Sequence, residues 1–199
     1  MSVTVRPARP VDLPWLVELV RHPEVAPFLA RSRPATELEL VAELRRVADQ
    51  PDGYGLLVID VADEVAGTLT WERVNRRSAI AVLSGIVVHP RFRGNGVAGA
   101  ALSAVVRELL GERGFHRIQL EVYGFNERAA AVFERAGFVR EGIRRLAYMH
   151  DGAWVDGILF GLVAEDLDNH PAASAVSSRD SASGTSRRPS PRRMKPGSS

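Results

Sequence analysis

Residues 87–99 read Val-Val-His-Pro-Arg-Phe-Arg-Gly-Asn-Gly-Val-Ala-Gly: an apolar strand passes through a glycine-bearing turn into a helix of very small residues. Such a turn leaves several backbone N–H groups unpaired at a helix start, where the helix dipole also favours negative charge. Gly94 and Gly96 let the main chain approach an anion closely, and Arg91 or Arg93 can add a charge-assisted bond. The run Arg91, Arg93, Gly94, Asn95, Gly96, Val97, Ala98 and Gly99 is therefore read as a pyrophosphate cradle.

Size and composition set the frame around it. The 199 residues suffice for one well-packed domain, expected over residues 1–168. No run approaches the ~18 apolar residues of a membrane span. The first residues, Met-Ser-Val-Thr-Val-Arg-Pro, lack an apolar signal region, so a cytoplasmic protein is expected. Cysteine is absent, which removes disulfides and thiolate nucleophiles, and the five histidines (22, 89, 116, 150 and 170) show no ligand spacing, so no metal is expected. The positive charge is unevenly placed: from His170 onward five arginines and one lysine face one acid, and the rest of the chain carries a net −3. An acidic body offers nucleic acid no footprint. Residues 169–199, rich in Ser, Pro, Gly and Arg, are expected to form a disordered basic tail, either a solvated appendage or a contact for an acidic partner.

The body reads as alternating elements. A short strand is expected at 3–6, a helix capped by Asp12 over 13–20, and a second helix starting at Thr36 with Leu40, Val41, Leu44 and Val47 at helical spacing. Residues 22–34, broken by prolines, read as irregular. Residues 56–61 and 65–74 form a hairpin around Asp63-Glu64, and 79–88 is an apolar strand covered on both faces. The helix after the glycine turn aligns Leu102, Val105, Val106, Leu109 and Leu110 and ends at Gly111 to Gly114. Residues 118–123 alternate as a strand, Asn126 caps a helix closed by Gly137, and two last strands meet at Asp151-Gly152. A mixed sheet with helices packed on it follows.

Gly94 to Gly99 also matches the dinucleotide pattern G-x-G-x-x-G, with Glu121 downstream as a candidate ribose ligand. Context argues against it. Five residues separate the strand from the first glycine, Glu121 lies inside its strand, and too little chain follows for a doubly wound domain.

The order of motifs resembles the GNAT family of N-acetyltransferases. Arg91-x-x-Gly94-x-Gly96 matches that family's R/Q-x-x-G-x-G/A signature. Leu120-Glu121-Val122, Asn126-x-x-Ala129 and Ala136-Gly137-Phe138 resemble its second motif. Glu141-Gly142-Ile143-Arg144-Arg145, then residues 151–156, look like the branch that holds ribosomal-protein and polyamine acetyltransferases, and the resemblance covers about residues 3–165. It implies an α/β (α+β) fold: a mixed, mostly antiparallel sheet of about seven strands, splayed between strands 4 and 5, with about four helices on its faces. It further implies acetyl-CoA as acyl donor, its pyrophosphate in the cradle and its pantetheine along Ile86, Val87 and Val88. Asn126 either touches that donor or only caps its helix.

An amine acceptor must lose a proton. A lysine-like amine is neutral in fewer than about one molecule in a thousand at pH 7, so a carboxylate nearby makes chemical sense. Glu121, on the strand and spacing of a family member that uses such a glutamate, is the candidate base; its alternative is an ion pair with an arginine at the cleft rim. Glu72 and Asp156 are runners-up that bind a cationic substrate or end a strand. Where many relatives carry a tyrosine that protonates the leaving thiolate, this chain has Phe133, which packs against donor or core; Tyr123 and Tyr148 are the substitutes, or plain strand residues. With no cysteine and no Ser-His-acid pattern, the expected enzyme is a direct-transfer N-acetyltransferase for a protein N-terminus or small-molecule amine, monomeric or homodimeric. The alternatives are a non-catalytic acyl-CoA-binding or sensing module of the same fold, and a nucleic-acid binder acting through the tail. Acceptor choice is expected to lie with residues 22–39 and 148–156, which hold Phe28, Arg31, Arg33, Tyr148, His150 and Trp154.

Overall fold

The computed structural model describes residues 2–29 and 36–169, the last three as backbone only. Arg31, Arg33 and the tail from residue 170 lie outside the described residues.

One seven-stranded sheet forms the frame. Its strands are β1 (Val3–Pro7), β2 (Tyr54–Val61), β3 (Glu64–Asn75), β4 (Ile80–Val88), β5 (Arg117–Tyr123), β6 (Val139–His150) and β7 (Ala153–Val163), in the spatial order β1-β2-β3-β4-β5-β7-β6. Every pairing is antiparallel except β4 with β5. The helices are α1 (Leu13–Arg21), α2 (Glu37–Asp49), α3 (Val97–Arg107), α4 (Glu127–Arg135) and the short α5 (Ala164–Asn169).

Strand alternation sorts the core into two layers. Leu57, Ile59, Leu69, Trp71, Leu83, Ile118 and Leu120 pack under α3 and α4, whereas Tyr54, Leu56 and Val58 point the other way, against Leu13 and Leu16 of α1 and Leu40 of α2. Each side chain of this size buried from water contributes about 1.5–3 kcal/mol, so the two layers hold both faces of the β1–β4 half. The apolar strand expected at 79–88 is covered less evenly than its composition implies: Ala81, Leu83 and Val87 are buried, Ser84 is exposed, and Ile86 and Val88 are half-buried.

The turns correct the sequence reading in three places. The β2–β3 hairpin turns on Ala62 and Asp63, both at positive φ, so Glu64 already belongs to β3. The helix after the glycine turn ends in a π-helical turn, Glu108–Glu112, which keeps Leu109 and Leu110 buried. Asp12 precedes α1 but its side chain does not cap that helix; the carboxylate accepts from the Arg9 amide at 2.7 Å and from the Arg6 guanidinium at 2.7 and 2.9 Å. Thr36 does cap α2, in a reciprocal box with Glu39.

Candidate active site

The parallel seam is where the sheet opens. β4 and β5 pair only from Ile80–Arg117 to Val82–Gln119. Beyond those rungs β4 continues against β3 alone, and β5 against β7 alone. A bulge drives the divergence: Val87 faces Thr68 and Ser84 faces Thr70, so Gly85 and Ile86 together stand opposite Leu69. The strand edges at residues 83–88 and 120–123 thus face a wedge with backbone groups not claimed by the sheet.

At the wide end β4 runs into the glycine turn. Gly94 and Gly96 hold φ of +84° and +74°, and a Cβ built on either would meet nothing within 4 Å. Glycine is required there by conformation, not by crowding. The amides of Gly94, Asn95, Gly96 and Val97 make no backbone hydrogen bond among the described residues, and Gly96 precedes α3 with no side-chain cap. These orphan donors, the helix start and an exposed turn make the arrangement expected of an anion site. Ala98 and Gly99 lie in the first turn of α3, half-buried.

The side chains around the turn play a different part. Val97 and Val87 are buried in the core. Arg91 is largely exposed and pairs with Glu64 at 3.1 Å. The Arg93 guanidinium folds back from the turn: Nε donates to the Val88 carbonyl at 3.1 Å and an Nη to the Glu24 carbonyl at 3.1 Å, with the Glu24 carboxylate at 3.3 Å. Here Arg93 is a strut between the strand end and the segment after α1. His89 accepts from the Arg91 amide at 3.3 Å, and burial, with His22 and Arg91 nearby, holds its pKa below the ordinary value.

The opposite lip carries the ionisable groups. Glu121 and Tyr123 lie on the β5 face away from Ile118 and Leu120. Glu121 Oε2 lies 3.3 Å from Arg144 on β6, with the glutamate side chain 22 % exposed, while Oε1 is buried and accepts no hydrogen bond of standard geometry. Tyr148 lies against the same carboxylate, and Arg144 approaches its hydroxyl at 3.4 Å. Burial first, then the contact with Glu121, raises the Tyr148 pKa. The ion-pair reading of Glu121 is thus realised, with one oxygen left over.

Room for that carboxylate comes from β7: a Cβ at Gly157 would stand 2.1 Å from Glu121 Oε1 and 2.7 Å from Tyr148 Cε2. A second bulge aligns the partners. Arg144 faces Gly157 and Tyr148 faces Val155, so three residues of β6 stand opposite Asp156 alone. Arg144 and Tyr148, four apart in sequence, therefore occupy adjacent positions on one face. Asp156 holds the bulge, accepting at 2.7 Å from the amide of Leu146, which sits at φ +47°.

Other assignments change with the geometry. One oxygen of Asp156 serves the backbone. Glu72 pairs with Arg46 of α2 and lies opposite Val82, at the closed end of the wedge, so it does not join the site. Phe133 is only 6 % exposed and packs edge-on against Phe138 and Phe160 in the core. Asn126 Oδ1 accepts from the Ala129 amide at 3.2 Å, the capping alternative.

Gly157, Arg144 as partner of Glu121, and Phe125 were not singled out from the sequence. For Gly157 a signal existed, since a lone glycine inside a strand pattern marks a close approach. Phe125 stacks on Tyr123 at 5.3 Å and meets His150 at 4.6 Å, contacts made only by the fold. Among the described residues no group of acids and histidines could hold a metal ion, and no helix is long and apolar enough to cross a membrane.

Known proteins share this fold. The pattern of the acetyltransferase (GNAT) family matches residues 20–138, more than half of the chain. The [ribosomal protein uS5]-alanine N-acetyltransferase of Escherichia coli (strain K12) is 29% identical over 103 residues, covering 52% of this chain and 53% of that protein. The chain thus matches about half the length of that relative. An uncharacterised N-acetyltransferase, YokL, of Bacillus subtilis (strain 168) is 26% identical over 122 residues, 61% of this chain and 68% of that one. Mycobacterium smegmatis RimJ, solved in complex with CoA-disulfide, superposes with a TM-score of 0.75 at 24% identity, over 88% of either chain. Spermidine N-acetyltransferase from Vibrio cholerae, solved with CoA and spermine, superposes at 0.72 with 20% identity, over 82% of this chain and 96% of that one. With the split seam and glycine turn in place, the chain belongs to the acetyltransferase (GNAT) family and is an N-acetyltransferase by class.

Proposed function

We propose that this protein moves an acetyl group from acetyl-CoA directly to a primary amine, on a protein N-terminus or a small molecule. The observation that carries the reading is the wedge beyond Val82 and Gln119 opening onto the unpaired amides of Gly94 to Val97. Main-chain donors of this kind suit a diphosphate, and the unclaimed edge at Ile86 to Val88 suits an amide-bearing arm. An N–H of that edge aimed at the thioester carbonyl stabilises the oxyanion that develops during acyl transfer.

When bound, acetyl-CoA supplies an activated acyl group on a thiol leaving group. The chain's own task is the amine. Removing its proton at neutral pH costs about 4–5 kcal/mol, from a pKa near 10.4. Glu121 is the acceptor of that proton, directly or through water, its side chain 22 % exposed beside Arg144 and Tyr148. Tyr148, which keeps its proton through neutral pH, replaces the tyrosine absent at 133 as the hydroxyl beside the reaction. A thiolate of modest basicity, with an ordinary pKa near 8.5, needs little help to leave. No cysteine is available for a covalent acyl-enzyme.

The test is Gly94→Glu. A carboxylate in the cradle adds like-charge repulsion and about 1–2 kcal/mol of left-handed strain, so acetyl-CoA affinity by calorimetry falls at least about a hundredfold. Unchanged affinity refutes the cradle. Release of CoA thiol with any of a panel of amines separates the enzyme from a non-catalytic acyl-CoA-binding module.

A further inference from the structure

The acceptor side of the wedge is walled by rings. Tyr123 stacks on Phe125 at 5.3 Å and meets Tyr148 edge-on at 5.4 Å, and Phe125 packs against His150 at 4.6 Å. Phe28 comes from the segment between α1 and α2, 6.1 Å from Phe125. That segment is fastened across the split sheet: a His150 ring nitrogen lies 2.8 Å from the Pro27 carbonyl, and on the other side Arg93 holds Glu24. Two rings are left with open surface, Phe28 at 48 % and Phe125 at 44 % exposed. Large apolar side chains exposed beside a catalytic cleft mark where an apolar body sits.

Charge narrows the choice. At the foot of the wall stands the Glu121 carboxylate, its side chain 22 % exposed. Asp156 is bound to the Leu146 amide, and Asp151 is 87 % exposed at the hairpin tip beside His150. The next charge along from Glu121 is the Arg144 guanidinium at 3.3 Å. A second ammonium close to the first would meet that cation.

Resting on the acetyl-transfer reading, we propose that the acceptor is a monoamine carried on a short link from an aromatic body, with Phe28 and Phe125 taking the ring and Glu121 the amine. Polycationic amines are selected against by Arg144. Phe28 and Phe125 are specificity residues, and His150 is a positioning residue that keeps Phe28 over Phe125 through Pro27.

The experiment pairs turnover with binding, using phenethylamine and spermidine as probes on the full-length protein. Thiol release from acetyl-CoA is expected to show kcat/KM at least about tenfold higher for phenethylamine, with Phe125→Ala and Phe28→Ala each raising its KM roughly three- to tenfold, the range of a lost aromatic contact. The Kd for acetyl-CoA stays unchanged in both variants, which shows that they fold. Calorimetric binding of the amines to the protein saturated with CoA is the second readout. Phenethylamine binding that weakens in both variants, without turnover, upholds the ring assignment and sinks the acetyl-transfer reading alone. Preference for spermidine, a phenethylamine KM indifferent to both truncations, or neither binding nor turnover overturns the proposal.

Discussion

The two lips of the wedge are built by opposite means. The cradle lip is consecutive main chain, in which the amides of Gly94 to Val97 make no backbone hydrogen bond among the described residues while the Val97 side chain turns into the core and Arg93 folds back as a strut. The acceptor lip is side chains from three strands, Glu121 of β5, Arg144 and Tyr148 of β6 and the gap at Gly157 of β7, brought together by a bulge. A lip of backbone needs only the right φ angles in one short stretch, so it tolerates changes in most side chains. A lip of side chains depends on strand register, and a one-residue slip would turn Glu121, Arg144 or Tyr148 to the other face.

If the lips are separate, a change on the acceptor lip lowers turnover and leaves donor binding alone. Glu121→Gln is the strongest case. General-base catalysis contributes about 10²–10⁴-fold, so turnover falls by at least about a hundredfold at low pH, where neutral amine is scarcest, and the deficit shrinks as pH rises. Steady-state rates between pH 6 and 9, with acetyl-CoA Kd from calorimetry, check both halves. An unaltered pH–rate profile removes Glu121 from the role of base. A matching loss of donor affinity breaks the separation of the lips.

Gly157→Ala sharpens the same contrast without touching an ionisable group. Its methyl would stand 2.1 Å from Glu121 Oε1, so the carboxylate must move away from its place beside Tyr148. Misplacing a reacting group by about an ångström costs up to about 10²-fold, and kcat is expected to fall roughly ten- to hundredfold with donor affinity unchanged. Wild-type turnover in this variant would mean that the position of Glu121 is immaterial.

Legibility followed the same divide. The glycine turn was readable because Gly94, Gly96 and the helix start are neighbours in sequence, and the strands and helices around it follow apolar periodicity. Glu121 was reached through strand alternation and the resemblance of its motif. Its surroundings were not: that Asp156 would hold a backbone bulge, that Glu72 would face Arg46, and that Phe28 would meet Phe125 across nearly a hundred residues all depend on register and tertiary packing. Asp12 misled for a related reason. A residue with cap chemistry was claimed by a stronger partner, the guanidinium of Arg6.

That pair supplies a last contrast, between carboxylates on either side of the seam. In the β1–β4 half Asp12 is 4 % exposed and bound to Arg6, which also holds Asp60 at 2.7 Å. The Arg6 hydrogen bond, ahead of the opposing effect of burial, lowers the Asp12 pKa from its ordinary value. A depressed carboxylate contributes stability that is fully present above its unfolded pKa, near 3.9, and lost as pH falls through its folded one. Asp12→Asn is therefore expected to destabilise the fold by about 1–3 kcal/mol at pH 7 in urea unfolding, a difference from wild type that narrows below about pH 4. His89 acts in the same direction over a higher pH range: held below its ordinary 6.5, it leaves the unfolded state to take the proton first, so a separate decline from about pH 6.5 downward persists in the variant. Thiol release per folded molecule at pH 7 stays at the wild-type level, because Asp12 faces a strand and a turn on the far side of β4. A stability gap between the two proteins that does not change with pH would show that Asp12 acts through shape, and would undo the contrast between carboxylates that hold the fold and the one proposed to work in the wedge.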